Sequence, residues 1–90
     1  MYKIKIEVVS MEIKMFYKTQ RELADVINKL IDSYWTGDIK EEYLINQILG
    51  LYNNNPSKLM KNNDFTTIVK QQCGKRRLEV VERILKISQK

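Results

Sequence analysis

The residues best suited to chemistry lie between Asn62 and Arg77, where amides, hydroxyls, an aromatic ring and three consecutive cations surround a glycine. Lys75, Arg76 and Arg77 follow Gly74 directly, where a helix would begin. Positive side chains at the positive end of a helix cost roughly 0.3–1 kcal/mol each, and a bound anion would remove that cost. The pattern therefore predicts a phosphate-binding site, in which two adjacent arginines suit a pyrophosphate.

Five further residues complete the predicted ligand site. Phe65 and Trp35 can stack on a base, although an aromatic residue at helical spacing more often belongs to a core. Asn62, Thr66 and Thr67 can bind a ribose or a base edge, or they can serve only as turn and cap residues. The alternative for the cations is a solvated helix start, paired with glutamates one turn further on.

Catalysis has no support in the composition. The chain has no histidine and one cysteine, Cys73, which excludes zinc fingers, histidine triads and an internal disulfide. An exposed Cys73 beside three cations would have a lowered pKa, but no base is available to complete a catalytic pair, so it is interpreted as a packing residue. We expect no enzymatic activity, no metal and no cofactor.

Length and charge bound the remaining classes. Ninety residues, 43% of them hydrophobic, predict one domain covering residues 1–90. Residues 1–57 carry 7 basic and 8 acidic side chains, whereas residues 58–90 carry 9 basic and 3 acidic ones. An anionic partner would therefore meet the C-terminal third. Neither a long apolar run nor a signal-peptide pattern occurs, which predicts a cytoplasmic protein that does not enter a membrane.

The first secondary-structure element that the sequence predicts is a β-strand. Apolar residues alternate from Tyr2 to Val8 and again, with shifted parity, from Val9 to Tyr17. This period of two predicts one long bent strand, or two strands sharing a bulge, over about residues 2–17. A lone strand needs a partner, and the same strand of a second protomer is the best candidate.

Three to five helices are predicted after the strand. Thr19 and Glu22 are predicted to form a capping box for a helix that ends near Gly37. Asp38 is predicted to cap a second helix that ends at about Gly50 or Tyr52. Further helical segments are predicted from Pro56 to Met60, from about 65 to 73, where strand scores equally well, and from about 75 to 88. The predicted fold class is therefore α+β, with a sheet completed across a dimer.

Three segments carry a resemblance to known proteins: Phe16–Leu23, Tyr34–Gly37 and Lys70–Glu79. Over about residues 14–87 the chain resembles a family of small proteins from low-GC bacteria and their phages. It also resembles the first type of phage Thoeris anti-defence protein, which sequesters cyclic ADP-ribose signals made by bacterial TIR enzymes. That resemblance implies a homo-oligomer built on dimers, with recessed interface pockets that hold the nucleotide without cleaving it.

The function predicted from these observations is sequestration of a cyclic ADP-ribose-type nucleotide by a phage or prophage protein in the host cytoplasm. Such a sponge needs preorganised donors and no nucleophile, which agrees with the composition. One alternative is a nucleic-acid-binding protein that lays Arg76, Arg77, Arg83 and Lys86 along a phosphate backbone. The other is a protein inhibitor or adaptor that docks through an edge strand and the methionine-rich segment 11–15.

Overall fold

The computed structural model describes residues 14–88. In chain order they form helix α1 (Gln20–Trp35), helix α2 (Glu41–Asn54), the single-turn helix α3 (Pro56–Leu59), strands β1 (Met60–Lys61) and β2 (Asp64–Phe65), and helix α4 (Thr67–Ser88). None of the helices in this part of the chain is long and apolar enough to span a membrane.

The predicted α+β fold class is wrong. Residues 14–88 are 75% helical, and their one sheet is a tiny antiparallel pair, β1 with β2, near the middle of the chain. Residues 14–17 of the predicted N-terminal strand form no strand, and residues 2–13 lie outside the described residues. The prediction of a sheet completed by the same strand of a second protomer is therefore not supported.

A buried asparagine explains why the alternating pattern at residues 15–17 was misleading. The Asn55 side chain accepts a hydrogen bond from the Tyr17 backbone N–H (3.1 Å) and donates to the backbone carbonyls of Met15 (2.6 Å) and Leu51 (2.9 Å). These bonds dock residues 15–17 against the end of α2. Met15 lies against Gly50 and is partly buried against the core; residues 11–13 of the methionine-rich segment lie outside the described residues.

Helix α1 forms as predicted. The Thr19 hydroxyl accepts a hydrogen bond from the Glu22 backbone N–H (3.1 Å), which satisfies one of the unpaired donors of the first turn. The helix ends at Trp35, and Gly37 adopts the left-handed conformation that the prediction required, with φ of 84°.

Helix α2 begins differently from the prediction. Asp38 does not cap it, because its carboxylate accepts a hydrogen bond from the Thr36 hydroxyl (2.9 Å) instead. Lys40 occupies the cap position without a side-chain hydrogen bond. The helix continues to Asn54, beyond the predicted end near Tyr52, and Pro56 then opens α3 as predicted.

Helix α4 consists of two arms joined at Gly74, which has φ of 82° and ψ of 167°. We call residues 67–73 the first arm and residues 75–88 the second arm. The break lies where the sequence predicted that one helix ends and another begins. It allows both arms to pack on the same core.

The core lies between α1, α2 and the two arms of α4. Ten large side chains in it are fully buried: Leu23, Ile27, Leu30, Ile31, Leu44, Ile48, Leu51, Leu59, Val69 and Val81. The positions in α1 recur at three- and four-residue spacing, as expected for one apolar stripe of a helix. Packing of α1 against α4 brings Cys73, Arg76 and Arg77 beside residues 24–35 of α1. This contact determines which groups surround the predicted cations.

Candidate functional site

The hairpin between α3 and α4 places Phe65 at the surface. Asn62 and Asn63 both have positive φ, 55° and 66°, as required by a two-residue hairpin turn. Met60 pairs with Phe65 and Lys61 with Asp64. The segment predicted as helix or strand from about residue 65 contains both: Phe65 belongs to β2, and α4 begins at Thr67.

Thr66 and Thr67 were predicted to have the same role, but the structure gives them different surroundings. Thr66 is buried, and its hydroxyl donates to the backbone carbonyl of Lys58 (2.7 Å), which fastens the hairpin to α3. That hydroxyl hydrogen is therefore already committed within the fold. Thr67 is exposed at the start of α4, where its hydroxyl is open to a ligand.

Phe65 lies between two concave surfaces that share it and Lys70. The first has a volume of about 430 Å³ and also includes Gly74, Lys75 and Leu78 along α4. The second has a volume of about 520 Å³, is mainly polar, and includes Lys61, Asn62, Thr66 and Thr67. We call the two together the Phe65 site. Five of the eight predicted ligand residues line it: Asn62, Phe65, Thr66, Thr67 and Lys75.

The charges of the Phe65 site are mixed. Lys70 forms an ion pair with Asp64 (2.6 Å), in which both side chains are at least half exposed. The hydrogen bond from Lys70, followed by that from the Phe65 N–H, lowers the pKa of Asp64. Within the described residues, Lys61 and Lys75 form no ion pair. Glu79 and Glu82 also line the first concavity, so two carboxylates accompany Lys70 and Lys75 there.

Arg77 does not contribute to the Phe65 site. Its guanidinium donates two hydrogen bonds to the Asp32 carboxylate on α1, at 2.9 and 3.0 Å, and a third to the Cys73 carbonyl at 3.1 Å. The hydrogen bonds with Asp32 raise the pKa of Arg77. The predicted phosphate-gripping pair is thus divided, and Arg77 joins α1 to both arms of α4.

Arg76 and Trp35 contact each other on a different surface. The Arg76 guanidinium carbon lies 5.8 Å from the centre of the Trp35 ring, within the range of a cation–π contact. Trp35 also lines a third concavity of about 390 Å³ between α1, α2 and the second arm of α4, which we call the Trp35 groove. This groove shares no residue with the Phe65 site.

Cys73 is a packing residue, as predicted. It is 3% exposed, and burial raises the pKa of its thiol to about 11, against the smaller opposing effect of Arg77. The thiol therefore stays protonated and unreactive at neutral pH. Among the described residues, no group of three acidic, histidine or cysteine side chains is arranged to hold a metal ion.

Sequence reasoning missed three residues of these surroundings. Lys61 and Lys70 are the cations nearest to Phe65 in the chain, but neither belongs to the triplet of cations after Gly74 on which the predicted phosphate site depended. The spacing of Asp64 and Lys70 across the hairpin–helix junction would have been the available signal. Asp32 had none, because its partner lies 45 residues away.

Comparison with known proteins identifies a family and no function. No curated protein and no solved structure matches the chain. The model of a family described as “conserved hypothetical protein” matches residues 14–86. This match covers most of the chain, including α1, both arms of α4 and the Phe65 site. The chain therefore belongs to this family of conserved hypothetical proteins.

Proposed function

We propose that the chain binds a phosphate-bearing nucleotide at the Phe65 site and does not transform it. The observation that supports this most directly is the position of four predicted ligand residues in two adjoining concavities around the ring of one of them: Asn62, Phe65, Thr67 and Lys75. Thr66 also lines the site, but its hydroxyl hydrogen is committed to the Lys58 carbonyl. Each concavity has a volume of the size typical of small-molecule sites, roughly 300–1,000 Å³.

The groups around Phe65 match the parts of a nucleotide. The half-buried ring offers a face to a base. The Asn62 amide and the Thr67 hydroxyl supply donors and acceptors for a ribose. Lys61, with no ion pair among the described residues, is available to a phosphate. A surface ion pair contributes only about 0–1 kcal/mol, so a phosphate can also take Lys70 from Asp64 at small cost.

A cyclic ADP-ribose-type signal is the proposed ligand, and it comes from the resemblance to Thoeris anti-defence proteins. In that role the protein acts in the host cytoplasm and lowers the free signal by mass action, without catalysis. Binding on the order of nanomolar, worth about 12 kcal/mol, would hold the signal below the threshold of its effector. A site without an activated nucleophile suits retention of an intact ligand.

Nucleic-acid binding is less well supported by the geometry of the second arm. The Arg77 guanidinium is held by two hydrogen bonds to the Asp32 carboxylate, and Glu79 and Glu82 interrupt the basic stripe. The Lys86 ammonium lies 3.5 Å from the Glu82 carboxylate, an exposed contact that a phosphate could replace at small cost. Only Arg76 and Arg83 of the predicted stripe remain without an ion pair among residues 14–88, and Arg76 rests on Trp35. A short DNA duplex is therefore the competing ligand in the binding test.

The test is a thermal-shift series of the full chain with cyclic ADP-ribose isomers, linear ADP-ribose and a short DNA duplex. Ligand at one hundred times its Kd adds about 2.7 kcal/mol, which corresponds to a rise in melting temperature of roughly 10–20 °C for a domain of this size. Recovery of intact nucleotide would agree with binding without turnover. A response to DNA alone, or to no nucleotide, contradicts the proposal.

Variants then locate the binding site. Lys61→Ala and Lys75→Ala should each weaken binding about tenfold or more, because each removes a charged partner of a phosphate. Phe65→Leu keeps an apolar side chain on the core and removes the flat ring, so it should weaken binding by about 5- to 100-fold. Lys29→Ala is the matched control, since Lys29 is exposed on α1 and lines neither concavity. Equal binding by all four variants would rule out the Phe65 site.

A further inference from the structure

The Trp35 groove leaves two large apolar side chains open to solvent above a floor that includes the buried Leu44 and Ile84. Trp35 is 48% exposed and Ile87 is 63% exposed, and both line the groove. With Phe16, they are the three exposed large hydrophobic residues in the described part of the chain. Two of the three therefore lie in one concavity, which argues against random surface placement.

The second arm of α4 presents a regular stripe to this groove. The groove is lined at spacings of four and three residues by Val80, which is half-buried, Ile84, which is buried, and Ile87, which is exposed. This is the repeat by which one helix packs lengthwise against another. Seven residues of helix extend about 10 Å, so the stripe is long enough for two turns of a facing helix.

The polar groups of the groove have opposite signs on its two sides. Arg83 comes from the second arm of α4, and Glu41 comes from the first turn of α2. Both are exposed, and neither forms an ion pair within residues 14–88. A single anionic or cationic partner would leave one of these charges facing a like charge.

We propose that the Trp35 groove is the interface of a two-fold symmetric dimer of this chain. In such an interface the same patch meets itself, so Arg83 of each copy can face Glu41 of the partner subunit. Two pairs then form, and the apolar stripes of the two second arms are covered together. The charge pattern is complementary to itself, which favours a second copy over a partner of one charge sign. The Trp35 groove shares no residue with the Phe65 site, so this dimer departs from the interface pockets that the resemblance implies and does not rest on the proposed function.

Charge exchange tests the predicted pairing. Sedimentation velocity measures the average mass in solution from low to high micromolar concentration, where one copy of the chain has a mass of 10.7 kDa. Arg83→Glu and Glu41→Arg should each weaken self-association about tenfold or more, since two like-charge contacts replace two pairs. An equimolar mixture of these two single variants should recover a dimer, because each supplies the charge that the other lacks. A mixture that stays monomeric overturns the proposed pairing.

Apolar substitutions test the location without disturbing the core. Ile87→Ser should raise the dimer dissociation constant about tenfold or more, because the side chain is exposed in one chain and buried between two. Phe16→Ser is the matched control: Phe16 is 68% exposed, lies outside the groove, and should leave the constant unchanged.

Trp35 gives a readout at the interface, since it is the one tryptophan of the chain. Its emission should shift to shorter wavelength as the concentration rises through the dissociation constant, and Ile87→Ser should move that shift to higher concentration. A wild-type chain that is monomeric at high micromolar concentration overturns the proposal. So does a dimer that Phe16→Ser weakens and Ile87→Ser does not.

Discussion

Arg77 provides the sharpest test of how this fold is held together. Its fork spans the Asp32 carboxylate on α1 and the Cys73 carbonyl at the end of the first arm, through three hydrogen bonds of 2.9–3.1 Å. Arg77→Met keeps the aliphatic stem and removes all three. The side chains of Arg77 and Asp32 are 30% and 48% exposed, so solvent screens the pair in part.

The expected loss of stability lies between two reference values. Fully exposed ion pairs contribute about 0.2–1 kcal/mol, and hydrogen bonds to charged groups contribute about 1.5–3 kcal/mol. A partly exposed, two-pronged pair with a further backbone bond should therefore contribute about 2 kcal/mol. For a domain of this size, that corresponds to a melting temperature lower by roughly 8–16 °C.

The assay is chemical denaturation of wild type, Arg77→Met, Asp32→Asn and the double variant. The coupling energy from this cycle should be about 1 kcal/mol or more, because both substitutions break the same contact. Arg77→Lys should recover only part of the loss, since an ammonium cannot bridge both oxygens and the carbonyl with the same geometry. Lys75→Ala, at an exposed position without an ion pair, should change stability by less than about 0.5 kcal/mol.

The stabilisation assigned to Arg77 is refuted if Arg77→Met is as stable as wild type, or if the two single losses of stability simply add. Either result would mean that the contact with Asp32 contributes nothing in solution. A variant that keeps its stability but loses nucleotide binding would return Arg77 to the phosphate-binding role that the sequence suggested.

Three other predictions follow from the backbone, from a buried amide and from the thiol. Gly74→Ala should cost about 1–3 kcal/mol in denaturant unfolding; an added Cβ meets nothing within 4 Å, so an unchanged stability would show that the φ of 82° is not required. Asn55→Ala should cost about 2–3 kcal/mol and accelerate hydrogen exchange at Tyr17, and undiminished protection of that amide would contradict the docking described above. Alkylation of Cys73 at pH 8 should be about 100-fold slower than in the unfolded chain, because a pKa of about 11 keeps the thiol protonated. Since that pKa is raised by folding, its contribution to stability is complete below the unfolded pKa and is lost as the pH rises through 11; equal alkylation rates in the folded and unfolded chains would contradict the burial.

Local patterns predicted the helices well and the N-terminal segment badly. The capping box at Thr19 and the apolar stripe of α1 act within one helix, so they can be read directly from the chain. Alternation at residues 15–17 was ambiguous, because any extended segment with one buried side shows a period of two. The buried amide of Asn55, 38–40 residues away in the chain, decided the conformation of that segment.

The sequence predicted where the candidate site lies in the chain, but not which of the cations contribute to it. Asn62, Phe65 and Thr67 lie close together in the sequence and remain together in the structure, because a short hairpin joins them to α4. The cation triplet does not act as a unit. Successive residues of a helix point about 100° apart, so Lys75 faces Phe65, Arg76 faces Trp35 and Arg77 faces Asp32.

Local sequence signals fix the capped start of α1, its apolar stripe and the break at Gly74, and they place most of the positive charge in the C-terminal third. These properties depend on neighbours within one or two turns. Which cations remain available depends on how the helices pack, because the packing of α1 against α4 sets the carboxylate of Asp32 beside Arg77 across 45 residues of chain. Ion pairing depends on distance in space, and that distance is fixed only when the helices pack.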